Sequence, residues 1–337
     1  LSAAPTERPP LARRVGYFAI FGLIAAAIVG ATVFLVYGDI VNRLAVSRHD
    51  SRPVLEGVNI APFVSMPDPG VFPVGLAEAP DGTLYLSLFG TGAIKRIAAD
   101  GSLATIHQLT APGAIAFGPD GSLYVIDYRA ADFRTSGQLN RIRPDGQVTL
   151  VGEALNTQGL PLLAQLAIDS TGNVYVSNPE RGQVWRVTPG GQAASWWTIA
   201  PIGDVRAQPI GLAYDAARES LLVADAGTGT LYRVSLNADI PTGEPLYRLA
   251  GVDFRAVALD DQGRPLLAIW AHDNGLLSRL EPDGTLVTLA EAFRAPTAIL
   301  FEDGRALVVN SDLPGLIEQV GAEPPFTVDV VTFDGTP

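Results

Sequence analysis

The chain of 337 residues is 47% hydrophobic and 17% charged, with a mean hydropathy of +0.24, which excludes a disordered or collagen-like tract. One Met and no Cys exclude disulfides, thiolate-bound zinc, iron–sulfur clusters and a thiol nucleophile. With 23 Lys and Arg against 35 Asp and Glu, the formal net charge of -12 repels phosphate backbones, so nucleic acid is not an expected partner.

Residues 1–14 form a short basic tail carrying Arg8, Arg13 and Arg14. From Val15 to Tyr37 the chain reads VGYFAIFGLIAAAIVGATVFLVY without a charge, enough at ~1.5 Å per residue for a helix about 35 Å long. The run is longer than the apolar core of a cleaved signal peptide, so the expectation is a single uncleaved transmembrane helix. Its basic flank predicts a cytoplasmic N-terminus, with everything after residue 37 on the extracytoplasmic side. Gly22, Ala26 and Gly30 recur every fourth residue and place three small side chains on one helix face, a stripe that allows another helix to approach closely.

Residues 38–56 are polar and turn-rich and read as a juxtamembrane stalk; from residue 57 to 337 the pattern changes to short β-type runs separated by Asp-Gly and Pro. Six segments align: GLAEAPDGTLYLS (75–87), AIAFGPDGSLYVID (114–127), QLAIDSTGNVYVSN (165–178), GLAYDAARESLLVAD (211–225), AVALDDQGRPLLAIW (256–270) and AILFEDGRALVVN (298–310). Their matching apolar residues Leu76, Ile115, Leu166, Leu212, Val257 and Ile299 recur at intervals of 39 to 51 residues. Each unit continues into a third run, AIKRI, QLNRI, QVWRV, TLYRV, LLSRL and LIEQV, in which Gln319 replaces the arginines 96, 141, 186, 233 and 279. A fourth run follows, such as SLATIHQL (102–109). Four strands in each repeat of ~40–45 residues is the arithmetic of a propeller blade, so the expected fold is all-β, a six-bladed β-propeller after one N-terminal transmembrane α-helix. Repeats begin near residues 73, 112, 163, 209, 254 and 296, and the absence of amphipathic helical segments between strands excludes a βαβ architecture. Both VNIAPFVSM (58–66) and FTVDVVTF (326–333) are candidates for the strand that closes the ring; 58–66 matches the fourth runs and is expected to pair there.

The pattern P-x-G-[LI]-A-x-x-P-D-G-x-L-Y-V-x-D, seen at 72–87, 112–127 and 209–225, resembles the NHL-repeat and SMP-30/gluconolactonase/strictosidine-synthase-like six-bladed propellers over about residues 57–333. In the lactonase branch the resemblance implies a divalent cation held by acidic and amide side chains at the entrances of the innermost strands, where it polarises a lactone carbonyl. Those entrances here carry Val74, Gly113, Ala164, Ile210, Arg255 and Thr297. The family's Asn ligand falls on Ile210, its Asp ligand on Arg255, its Asn-Asp pair on Gly113-Ala114, and its opening Glu finds Pro73 nearby. No catalytic, cofactor-binding or metal-ligating residue is therefore assigned, and no cofactor is expected.

Other constellations have structural explanations. Asp127, Asn178, Asp225 and Asn310 recur at the ends of second strands, as residues that cap turns do. The three histidines, His49, His107 and His272, show no ligand spacing, and His272-Asp273 in a turn-like stretch is a weak acid–base pair. Ser87 and Ser177 lie outside any nucleophile elbow. The recurring arginines are expected to lie over a neighbouring blade with their heads in water. Binding is more readily sought where the repeat is broken, at 128–137, 195–208 and 236–245. In the second of these, the adjacent Trp196 and Trp197 are expected to point to opposite faces of an outer strand, one toward the neighbouring blade and one available as a rim anchor.

These features predict a non-catalytic, membrane-anchored, extracytoplasmic propeller that serves as an accessory or scaffolding subunit. Its partners are integral membrane protein subunits, met through the helix face of Gly22, Ala26 and Gly30 and through the rim at Trp196 and Trp197, with no required small-molecule substrate; respiratory and photosynthetic assemblies are both open. The alternatives are a tethered lactonase or hydrolase with a relocated site and a ligand-sensing propeller.

Overall fold

The computed structural model describes residues 51–129, 137–153, 155, 163–271, 274–312 and 324–334. The run at 15–37 and its residues Gly22, Ala26 and Gly30 lie outside these; among the described residues no helix is long and apolar enough to cross a membrane.

The described residues fold into six antiparallel sheets, five of four strands and one of five, which make a six-bladed propeller. The first strands are Pro73–Glu78, Pro112–Phe117, Leu166–Ile168, Pro209–Asp215, Asp253–Leu259 and Pro296–Glu302 in blades 1 to 6. Local chemistry makes the hairpins. In the turn after the first strand of blade 1, the Asp81 carboxylate accepts the Thr83 N–H at 3.0 Å, and Gly82 supplies a φ of +81° that residues with a β-carbon rarely adopt. The same carboxylate-to-backbone turn recurs at Asp100, Asp120, Asp145, Asp169, Asp260 and Asp283. Exposed Asp81, Asp100 and Asp283 are held below the usual carboxylate range by these hydrogen bonds.

Apolar side chains fill the seams between blades. Ile94 of blade 1 is fully buried against Ile115, Leu123 and Val125 of blade 2, and Leu221, Val223 and Tyr232 of blade 4 pack with Tyr175, Val184 and Trp197 of blade 3. Burial of this kind contributes on the order of 25 cal/mol per Å² of apolar surface, so neighbouring blades stabilise one another.

The arginine column is confirmed by register in five blades. Arg96, Arg141 and Arg186 stand opposite Tyr85, Tyr124 and Tyr175, and Arg233 and Arg279 opposite Leu222 and Leu266. Blade 6 departs from the expectation. Its third strand is Phe326–Phe333, paired with Arg305–Asn310, so Val330, opposite Leu307, occupies the arginine position; LIEQV lies outside the described residues. The β-branched run FTVDVVTF pairs on both edges, along its whole length with Val58–Met66 and over 327–332 with Arg305–Asn310, which makes it an interior strand.

Val58–Met66 then pairs with Phe326–Phe333 as the outermost strand of blade 6, so the N-terminal part of the propeller closes the ring against its C-terminal part. Residues 51–56, expected as the end of a stalk, belong to this closure. Arg52–Pro53 adds a fifth strand to blade 5, with Arg52 opposite Glu291 and Pro53 opposite Ala290.

Candidate functional site

The six first strands surround a central channel with a cavity of about 620 Å³, to which Leu76, Ile115, Leu166, Leu212, Val257 and Ile299 contribute one apolar side chain per blade. Because each first strand runs from one face of the ring to the other, the entrance residues Val74, Gly113, Ala164, Ile210, Arg255 and Thr297 gather at one end, and the Asp-Gly turns lie at the opposite end.

At the entrance, side chains bind backbone. The Gln165 Nε2 of blade 3 donates to the Thr297 carbonyl of blade 6 at 3.0 Å. These blades face each other across the ring, so the amide spans the channel. Thr297 in turn donates through Oγ1 to the Val74 carbonyl of blade 1 at 2.9 Å. Ser87 Oγ donates to the Gly113 carbonyl at 2.5 Å, and Ser177 Oγ to the Ile210 carbonyl at 2.8 Å, each from its own blade to the next. Both serines are fully buried and serve as inter-blade ties. Arg255 pairs with Asp253 at 3.2 Å and lies 5.8 Å over the Trp270 ring, a guanidinium held among polar and aromatic groups at the mouth.

The side chains at this entrance are the Gln165 amide, tied through Nε2 to the Thr297 carbonyl, the Arg255 guanidinium and the apolar Val74 and Ile210, none of them a carboxylate. Asp253, the nearby acid, is engaged by Arg255. Among the described residues no three His, Asp or Glu are grouped so as to hold a metal ion.

The acids at the second-strand ends are clasps. Asp127 accepts the Ala111 N–H at 2.8 Å, Asn310 accepts the Arg294 N–H at 2.9 Å, and Asp225 accepts from Gln208, Gly227 and Thr228. Asn178 accepts the Arg181 N–H at 3.0 Å. Burial raises the pKa of both Asp127 and Asp225 above the usual carboxylate range, although the hydrogen bonds oppose the shift. Asp127, Asp225 and Asn310 hold the chain as it enters the first strand of a blade, whereas Asn178 caps the turn that follows its own strand.

Trp197 is buried in the seam between blades 3 and 4, edge-to-face on Tyr232 with ring centroids 5.4 Å apart. Trp196 is half-buried and meets Tyr175 of its own blade at 5.0 Å. His272 and Asp273 lie outside the described residues, as does most of the loop at 128–137. Gln165 was not singled out by the sequence, because its significance depends on which blade faces it across the channel.

No protein-family model matches the sequence, and comparison with curated protein sequences finds no relative. Solved structures do share the fold. A gluconolactonase from Xanthomonas campestris superposes with a TM-score of 0.64 at 13% identity, covering 84% of this chain and 94% of that one. Virginiamycin B lyase from Staphylococcus aureus gives 0.59 at 10% identity, covering 82% and 99%. A luciferin-regenerating enzyme gives 0.61 at 13% identity, covering 83% and 98%. At these identities the likeness is one of fold, a six-bladed propeller similar to the gluconolactonase and lyase structures.

Proposed function

We propose that the chain is a non-catalytic propeller, anchored in a membrane by residues 15–37, that serves as an accessory or scaffolding subunit of an integral membrane protein complex. The observation that carries the non-catalytic part is the Gln165–Thr297 hydrogen bond across the channel, at the entrance where the lactonase branch holds its cation. An amide tied to backbone, a guanidinium paired within its own strand and apolar side chains stand there with no free carboxylate, which speaks against a bound divalent ion and a polarised lactone carbonyl. A rigid ring that has given up its channel chemistry retains its rim and loops as binding surfaces. The uncharged run at 15–37 supports the membrane placement, and its small-residue face supports a helical partner.

The test is purification of the full chain from its native membrane in mild detergent. Stoichiometric co-purification of integral membrane subunits is expected, with no divalent-dependent hydrolysis of lactones and a flat calorimetric titration with Ca²⁺. A tethered lactonase with a relocated site is the second reading, motivated by the fold shared with the gluconolactonase; lactone turnover by the isolated chain, abolished by chelation, would establish it and overturn the first.

A further inference from the structure

On the face opposite the Gln165 span, a groove of about 320 Å³ lies between blades 4 and 5, walled by Arg218, Arg233, Arg264, Leu246, Leu280 and Glu281. Arg218 comes from the first turn of blade 4, Arg233 from its third strand and Arg264 from the first turn of blade 5. Three arginines from separate elements thus line one groove in a chain whose net charge is -12.

The acids nearby satisfy Arg218 and Arg264 but not Arg233. Asp215 lies 3.0 Å from Arg218 and 3.7 Å from Arg233. Arg264 is 2.8 Å from Asp260 and 3.4 Å from Glu281, which Arg279 also engages at 2.6 Å. Glu244, the cross-strand neighbour of Arg233, is exposed and makes no ion pair with it. Arg233 is consequently the least satisfied: its carboxylate is beyond hydrogen-bond length and already held by Arg218, and its Nε is buried without a partner. Arg255 and Arg305 also bury Nε, but each has its own carboxylate, at 3.2 Å and 2.6 Å, and an aromatic face, Trp270 or Phe63. Arg233 has neither. A buried Nε without an acceptor is costly, and the rest of the Arg233 side chain, 23% exposed, presents a planar fork that matches oxyanions.

We infer that this groove binds a phosphate group, the three guanidinia of Arg218, Arg233 and Arg264 meeting the oxygens of a tetrahedral anion that offers an acceptor in each of their directions. The walls of Leu246, Leu280 and Pro282 leave room for an apolar body attached to it, so a small phosphate monoester fits better than inorganic phosphate. The site is independent of the scaffold reading and of the channel.

Calorimetric titration of the full chain in detergent at low ionic strength, with inorganic phosphate and with phenyl phosphate, tests this. Saturable binding of one equivalent is expected, tighter for phenyl phosphate; equal affinities would place the recognition in the phosphate alone. Arg233→Met should weaken binding at least tenfold, Arg233→Lys less, and half-exposed Arg218→Gln severalfold at an unchanged melting temperature. No saturable heat with either probe at millimolar concentration overturns the inference. So does unchanged affinity in Arg233→Met, or in Arg218→Gln if Arg233→Met does not fold.

Discussion

Gly243 and Trp197 touch across the seam between blades 3 and 4 so closely that a β-carbon on Gly243 would stand 2.3 Å from the indole Cζ2 and 2.6 Å from Cη2. The glycine is required for space, since its side-chain position is already filled by the buried ring. Gly243→Ala must displace the indole or the outer strand of blade 4, and overpacking of this kind costs about 1–3 kcal/mol. Trp197→Ala leaves a cavity instead and should cost about 3–5 kcal/mol. Thermal melts of the two variants check this; a wild-type melting temperature for Gly243→Ala would mean that the seam yields.

Asp225 provides a pH test. Burial raises its folded pKa above the ordinary 3.8, despite hydrogen bonds from Thr228, Gln208 and Gly227. The folded state therefore holds this proton more tightly than the unfolded state. Its contribution is fully present below the unfolded pKa and is lost as pH rises through the raised folded value. Asp225→Asn keeps an oxygen acceptor for the backbone N–H groups and removes the charge, so its stability relative to wild type should improve as pH rises from 4 to 7. Equal pH slopes in the two proteins, followed by melting temperature, would show that the carboxylate does not titrate there.

The start of the described chain is tied to blades 5 and 6 at several points. Arg52 meets Glu291 at 2.7 Å, the Val54 and Leu55 N–H groups reach the Leu289 carbonyl at 2.9 and 3.2 Å, and the Ser51 hydroxyl donates to buried Asp329. The exposed ion pair is worth about 0–1 kcal/mol, so Arg52→Ala alone should scarcely change stability. Deleting residues 51–56 removes the backbone hydrogen bonds too, each worth about 0.5–1.5 kcal/mol, and should lower the midpoint of urea unfolding measurably. Deleting through Met66 bares the edge of Phe326–Phe333, and light scattering should then report association.

The blades were legible because alternation, Asp-Gly turns and the repeat act locally and recur. Turn capping was legible for the same reason and holds at Asn178 and Asp225, whereas the reach of Asp127, Asp225 and Asn310 back to the chain before the first strand was not. Blade 6 misled because LIEQV imitates a third strand over five residues, whereas the true strand is recognised only by pairing Val330 with Leu307 and, on its other edge, with Ala61 from the opposite end of the propeller. Arg52–Pro53 is too short to carry a periodicity, and its proline reads as a turn. Arg233 looked like any other member of its column. What sets it apart is a distance to Asp215, and distances between side chains are not written in a repeat.

Association with a membrane partner through two separated surfaces is the remaining expectation, and the packing of the two tryptophans refines its test. Trp197 is unsuitable as a probe because its truncation opens the seam; Trp196, half-buried against Tyr175, can be removed with less damage. A helix and a rim joined in one chain make the second contact intramolecular, so two weak contacts together suffice where either alone does not. Isoleucine at Gly22, Ala26 and Gly30 blocks close helix approach, and an interfacial Trp can cost ~2 kcal/mol or more when truncated. The helix variant and Trp196→Ala should each retain part of the co-purifying subunits in detergent, and their combination should lose them while its melting temperature stays within a few degrees of that of Trp196→Ala. If the combination keeps wild-type stoichiometry, the small residues face lipid, Trp196 is packing, and the partner must be sought on the loops at 195–208 and 236–245.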